Sequence, residues 1–145
     1  MSELNDTTAL DLAHPALPLP EILEAAPETF DGLVFAPRDV LIVVYFWGHQ
    51  CPNCEVFARH LPPMLEELRG APMRMIQVNA YKHMSLATRF GLAGIPHFLL
   101  VLNGKKLGRM SQFYDRETWL GVIQERLPGA MASETRQESP DSTNE

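Results

Sequence analysis

The apolar positions of the chain change period several times, and each change marks an element. Val40 to Trp47 is an unbroken apolar run rich in β-branched and aromatic residues, the pattern of a buried strand. From Pro52 the period becomes helical, with Phe57, Leu61, Met64, Leu65 and Leu68 on one face. Pro52 suits the first turn, where its missing N–H has no intrahelical partner to lose. Pro62 and Pro63 are expected to kink or break this helix near His60–Pro62, leaving a second segment from Pro63 to Leu68 and a stop at Gly70. Met73 to Val78 reads as the next strand, and Tyr81 to Phe90 as a weak helix closed by Gly91. Ile95 to Leu102 is an apolar strand that opens on Pro96. Asn103-Gly104 signals a hairpin, with Lys105 to Met110 as an exposed edge strand. Asp115 is the N-cap candidate of a last helix carrying Trp119, Leu120, Ile123 and Leu127, which Pro128-Gly129 ends. Upstream, Pro20 to Ala26 predicts a short helix and Glu28 to Phe35 a second, with Phe30, Leu33 and Val34 inward.

The order is therefore β-α-β-α-β-β-α with helical material in front, an α/β fold. The first two crossovers predict parallel strands, and the hairpin adds an antiparallel pair at one side.

At 145 residues and 46% hydrophobic, the chain has material for one domain with a proper core. Residues 1–26 read as an acidic extension with the possible short helix, 27–128 as the domain, and 129–145 as a disordered polar tail. No run approaches the roughly 18 consecutive apolar residues of a membrane span. The first 37 residues hold no Lys or Arg, so the basic start of a secretory signal is missing and the cytoplasm is the expected compartment. The net charge of −6 hides a split. Residues 1–37 carry seven acids and no base, whereas residues 38–127 carry eleven bases and seven acids. No Lys/Arg run with interleaved aromatics supports nucleic-acid binding.

The candidate chemistry lies where the first strand gives way to the first long helix. Cys51 stands at the mouth of that helix, where free N–H groups and the positive end of the dipole stabilise a thiolate. Two residues on, Cys54 can reach back and close a small ring, so the pair is a candidate for reversible thiol–disulfide exchange. Half of a zinc site and an inert disulfide are the alternatives. Structural zinc wants four ligands, these are the only two cysteines, and neither His49 nor His60 stands at a standard ligand spacing, so no metal is expected. In a reducing compartment such a pair is more often catalytic than structural.

With these pieces in place the sequence resembles the thioredoxin family. The matching residues are Phe46-Trp47-Gly48, Cys51 and Cys54, Val78-Asn79, Phe90-Gly91, Gly94-Ile95-Pro96 and Asn103-Gly104, in family order across roughly residues 27–127. The resemblance implies a three-layer α/β/α sandwich around a central mixed sheet. It also implies that Pro96 is a cis-proline packed against the active-site disulfide, that the backbone of Ile95 pairs with an extended substrate segment, and that Trp47 packs beneath the active-site loop. Several positions depart from the family pattern. Thioredoxins carry Trp-Cys-Gly-Pro-Cys where this chain has Gln50-Cys51-Pro52-Asn53-Cys54. Tyr45 stands for the buried Asp, Gln77 for the Lys near it, Arg59 for the helix proline, and Gln112 for a glycine on the substrate face. His97, after Pro96, and His49, before Cys51, are the candidates to handle the proton in place of the missing acid, with His97 preferred. A carboxylate at Glu55 would oppose the thiolate.

The resemblance thus implies a cytosolic protein-disulfide reductase. Cys51 attacks, Cys54 resolves, no cofactor is bound, and electrons come from an NADPH-dependent flavin enzyme of the thioredoxin reductase kind. Partners would be disulfide-containing proteins, with neither nucleic acid nor membrane, and the chain would be a monomer. The rivals are a low-turnover binding or chaperone-like docking module on the same fold, and a chain that bridges an iron–sulfur cluster through Cys51.

Overall fold

The computed structural model of the chain describes residues 17–129. Its elements are β1 (Glu21–Glu24), α1 (Pro27–Val34), β2 (Leu41–Trp47), α2 (Pro52–Glu67), β3 (Met73–Asn79), α3 (Met84–Arg89), β4 (His97–Leu102), β5 (Lys105–Met110) and α4 (Arg116–Glu125). The five strands form one sheet in the order β1-β3-β2-β4-β5. β1 and β2 both run parallel to β3, whereas β4 is antiparallel to β2 and β5 antiparallel to β4. The sheet is mixed, as expected.

Side-chain alternation along the central strands feeds two cores. On one face Leu41, Val43 and Tyr45 of β2 meet Phe57, Leu61, Met64 and Leu65 of α2 and Trp119, Leu120 and Ile123 of α4. On the other, Ile42, Val44 and Phe46 meet Phe30 and Val34 of α1 and Leu86 of α3. With helices on both faces, the molecule has the three-layer α/β/α arrangement. Two local signals hold to the residue. Asn103 and Gly104 take φ values of 52° and 79°, the pair of positive angles that the tight hairpin turn demands. Asp115 caps α4 by accepting the N–H of Thr118 at 2.7 Å, and these hydrogen bonds hold its carboxyl below the usual range.

Three expectations are corrected. The segment Pro20 to Ala26 is not a helix: residues 21–24 are a strand on the sheet edge, with Glu21 opposite Arg74 and Glu24 opposite Gln77. Pro20 and Pro27 leave too few residues between them for a helix to propagate, while β3 offers an open edge. Ala25 N–H donates to the Gln77 carbonyl at 3.0 Å, Gly70 N–H to the Pro18 carbonyl at 2.8 Å, and the Arg74 guanidinium meets Glu21 at 3.0 Å. The stretch before residue 27 is therefore part of the sheet and not wholly an extension. Second, the crossover after β3 does not yield a parallel strand. Six helical residues advance only about 9 Å, against about 23 Å for a seven-residue strand, so α3 leaves the chain at the end of the sheet where β3 finished, and β4 starts back from there. Third, α2 runs unbroken through Pro62 and Pro63. The lost backbone bonds, which cost about 3 kcal/mol per interior proline, are offset by burial of Leu61, Met64 and Leu65 on the same turns. The expected tail falls mostly outside the described residues, as do residues 1–16.

Candidate active site

The site is built where β2 ends and α2 begins. Gly48 follows the strand, and a Cβ there would come within 2.7 Å of the Tyr81 ring and 2.8 Å of Ile95 Cδ1, so any larger residue would push these side chains aside. Gln50 takes a left-handed φ of 56°, which an ordinary side chain adopts at a cost, and turns the chain into the helix. Cys51 is extended (φ −122°, ψ 99°) and is the N-cap of α2, with Pro52 at the first helical position as its ring geometry favours.

Cys51 and Cys54 are joined in a disulfide, their Cα atoms 5.2 Å apart. Cys51 Sγ accepts the backbone N–H of Cys54 at 3.1 Å and lies 3.8 Å from the Ile95 carbonyl oxygen. Ile95–Pro96 is a cis peptide, and Pro96 is buried. The sequence-predicted set Cys51, Cys54, Ile95 and Pro96 therefore converges. Exposure does not separate the two cysteines, since in the disulfide they are 7% and 5% exposed. What separates them is position. Cys51 is the helix cap and faces Ile95, whereas Cys54 lies a turn inside the helix.

A cavity of about 350 Å³ opens beneath Cys54, lined by Tyr45, Trp47, His49, Glu55 and Gln77 besides the cysteine itself. Tyr45 pairs with Gln77 across β2 and β3, and its ring sits 4.7 Å from Phe57 and 5.3 Å from Phe98. Its hydroxyl donates to the Cys54 carbonyl at 3.5 Å. Burial pushes the Tyr45 phenol up to about 12, so it cannot serve as a base near neutral pH. Trp47 packs between this cavity and the loop, its ring edge-on to His49 at 5.1 Å, and its indole N–H has no partner among the described residues.

The two histidines part company. His49 is exposed and shares the cavity with Cys54. His97 is 4% exposed, pairs with Phe46 in the sheet, and so points to the face opposite Tyr45 and Phe57. Burial, and then repulsion from the Arg109 guanidinium, hold the His97 imidazole below its ordinary value. Of the two, His49 and not the sequence-preferred His97 lines the cavity beneath Cys54. Sequence reasoning also missed how closely Tyr81 and Met84 approach the site. They are 60% and 67% exposed and form, with Ile95 and Leu92, an apolar shelf beside the cis-proline loop. Among the described residues no group of three or more His, Cys, Asp or Glu side chains gathers to hold a metal ion, and no helix is long and apolar enough to cross a membrane.

The thioredoxin family model matches residues 21–125. The chain belongs to the thioredoxin family. The match begins at β1, so this family unit includes the strand that the sequence pattern placed in an extension. Thioredoxin of Griffithsia pacifica is 24% identical over 86 residues, 59% of this chain and 78% of that protein. Protein disulfide isomerase-like 2-1 of Oryza sativa subsp. japonica is 30% identical over 111 residues, 72% of this chain but only 28% of that protein. The chain thus spans under a third of the length of this longer relative. Thioredoxin f2 of Chlamydomonas reinhardtii superposes with a TM-score of 0.64 at 24% identity, covering 74% of this chain and 97% of that one, which bears on the fold. Homologues in this family are generally thiol–disulfide oxidoreductases that act on disulfide substrates.

Proposed function

We propose that this chain is a protein-disulfide reductase working through the Cys51/Cys54 couple. The observation that carries the reading is the disulfide at the N-cap of α2, with Cys51 Sγ 3.8 Å from the carbonyl that precedes cis-Pro96. In the reduced protein a Cys51 thiolate accepts the Cys54 N–H and sits at the positive end of the helix dipole. It attacks one sulfur of a substrate disulfide, forms a mixed disulfide and expels the other sulfur as a thiolate. The Cys54 thiolate then attacks Cys51 Sγ, the second substrate sulfur leaves, and two electrons have passed from protein to substrate. The backbone of Ile95 pairs with an extended substrate segment. The apolar shelf of Tyr81 and Met84 favours polypeptide substrates over small ones. Because the chain ends each cycle oxidised, it needs a donor, for which an NADPH-linked flavin reductase of the thioredoxin reductase kind is our expectation. A reducing, cytoplasmic setting goes with this direction of flow.

A second reading rests on Tyr45. With a phenol pushed up to about 12 in place of a buried carboxylate, Tyr45 gives Cys54 no base, and slow resolution would make the chain a docking module that holds substrates as mixed disulfides. Reduction of a protein disulfide, driven by NADPH and a thioredoxin reductase, separates the two. Sustained turnover supports the reductase. One stoichiometric burst that stops at the mixed disulfide supports the docking module. No thiol exchange at all removes both.

A further inference from the structure

A second cavity, of about 360 Å³, lies on the other side of the disulfide, beside cis-Pro96. Its wall includes Asn53, His97, Arg109, Ser111 and Gln112. Neither cysteine lines it, but Ile95 does, and the Ile95 carbonyl oxygen lies 3.8 Å from Cys51 Sγ, so the cavity opens next to the disulfide. These side chains comprise one guanidinium, one imidazole, two amides and one hydroxyl, and no carboxylate lines the cavity.

Arg109 is held in place without being neutralised. Its Nη1 donates to the Phe90 carbonyl at 3.0 Å, which leaves further N–H donors of the planar fork unused. Among the described residues it has no carboxylate within ion-pair distance. Two more cations lie nearby but outside the cavity wall, over the Phe90 ring: Arg89 at 4.9 Å and Lys106 at 5.6 Å from its centre. Of these three cations, among the described residues only Arg89 has an acid, Asp31 at 2.9 Å. His97, 4% exposed with a buried Nε2 that has no partner among the described residues, adds a polar but uncharged wall. Across the disulfide, by contrast, the cavity under Cys54 carries Glu55. The disulfide therefore sits between a cationic side and a side bearing a carboxylate.

We infer that the cavity beside Pro96 is a carboxylate subsite centred on Arg109, and that the chain prefers disulfides whose cysteine has a carboxylate next to it. This rests on the proposed exchange chemistry and adds a substrate class to it. A guanidinium matches a carboxylate with two parallel hydrogen bonds, and the amides of Asn53 and Gln112 supply further donors. The carboxylate can belong to an acidic residue of a protein or to a small acidic disulfide.

Exchange of single disulfides with the full-length Cys54→Ser protein tests this, because it needs only the first step. The probes are disulfide-linked peptides with Glu or Gln beside the cysteine, and dithiodipropionate against hydroxyethyl disulfide. The expected result is a preference of up to about fivefold for the Glu peptide, the upper range for a partly exposed ion pair. Adding Arg109→Gln should remove the preference, adding Arg109→Lys should restore part of it, and adding Lys105→Gln, at the hairpin, should leave it intact. The same preference in the small pair extends the subsite to small acids, whereas a preference in the peptides alone assigns it to protein substrates. Equal rates for Glu and Gln peptides, or a preference that survives Arg109→Gln in a protein with unchanged thermal melting, overturns the inference while leaving the exchange chemistry standing. No exchange with any probe overturns both.

Discussion

The two cavities that flank the disulfide differ in what they are made of. The one under Cys54 is roofed by aromatic rings, Tyr45 and Trp47, and holds the exposed groups His49 and Glu55. The one beside Pro96 is polar and cationic, with a buried neutral histidine at its wall. Under the proposed exchange chemistry, the difference divides proton handling from substrate selection between the faces of the sheet. On that proposal, residues on the Tyr45 face act on the resolving sulfur, while residues on the His97 face act on what approaches the attacking one.

Tyr45→Asp is the harshest way to break this division. It removes a ring packed on Phe57 and Phe98, and should cost about 3 kcal/mol by analogy with large-to-small core changes. Its buried carboxyl should titrate above the usual range. Denaturant melts read the first effect. Single-turnover resolution against pH reads the second, and an unchanged profile would mean that another group already supplies the base.

His97 makes the next largest effect, and on the opposite face. Its folded pKa lies below the ordinary 6.5, so the unfolded chain takes up the proton first. Stability should therefore fall as pH drops below about 6.5 and stop falling once the folded imidazole titrates, with a slope of at most about 1.4 kcal/mol per pH unit. His97→Leu should flatten that part of the pH–stability curve without moving the pH profile of resolution. A shift in that profile would put His97 back on the proton path.

Two milder changes sharpen the comparison on the Cys54 side. His49→Asn should slow resolution by up to about tenfold, below the usual range for a well-placed acid–base group, and leave the first exchange step unchanged. Stopped-flow kinetics of the two steps separates these. Tyr45→Phe keeps the ring and loses one long 3.5 Å contact, so melting should change by less than about 1 kcal/mol and the pH profile should not change.

Much of this layout was legible in the chain, for physical reasons. β2, the Asn103-Gly104 turn, the Asp115 cap and the Cys51 helix mouth are written in local residue chemistry, and each stands where the pattern placed it. What escaped depends on long-range pairing. β1 is four residues, Glu-Ile-Leu-Glu, with no strand alternation, and only the open edge of β3 makes it a strand. β4 is buried at all six positions, so periodicity could not say which face His97 takes, and only its register opposite Phe46 decides it. The same limit hid the approach of Arg109 to the cis-proline loop, since β5 comes there through its pairing with β4.

The most direct test of the account is mass spectrometry of the reduced single-cysteine variants after mixing with one peptide disulfide. Cys54→Ser should carry one peptide on Cys51 within the first minutes, and Cys51→Ser should stay unmodified over the same time. Equal adducts on both variants, or an adduct on Cys54 alone, would contradict the assignment of attack to the helix-capping sulfur.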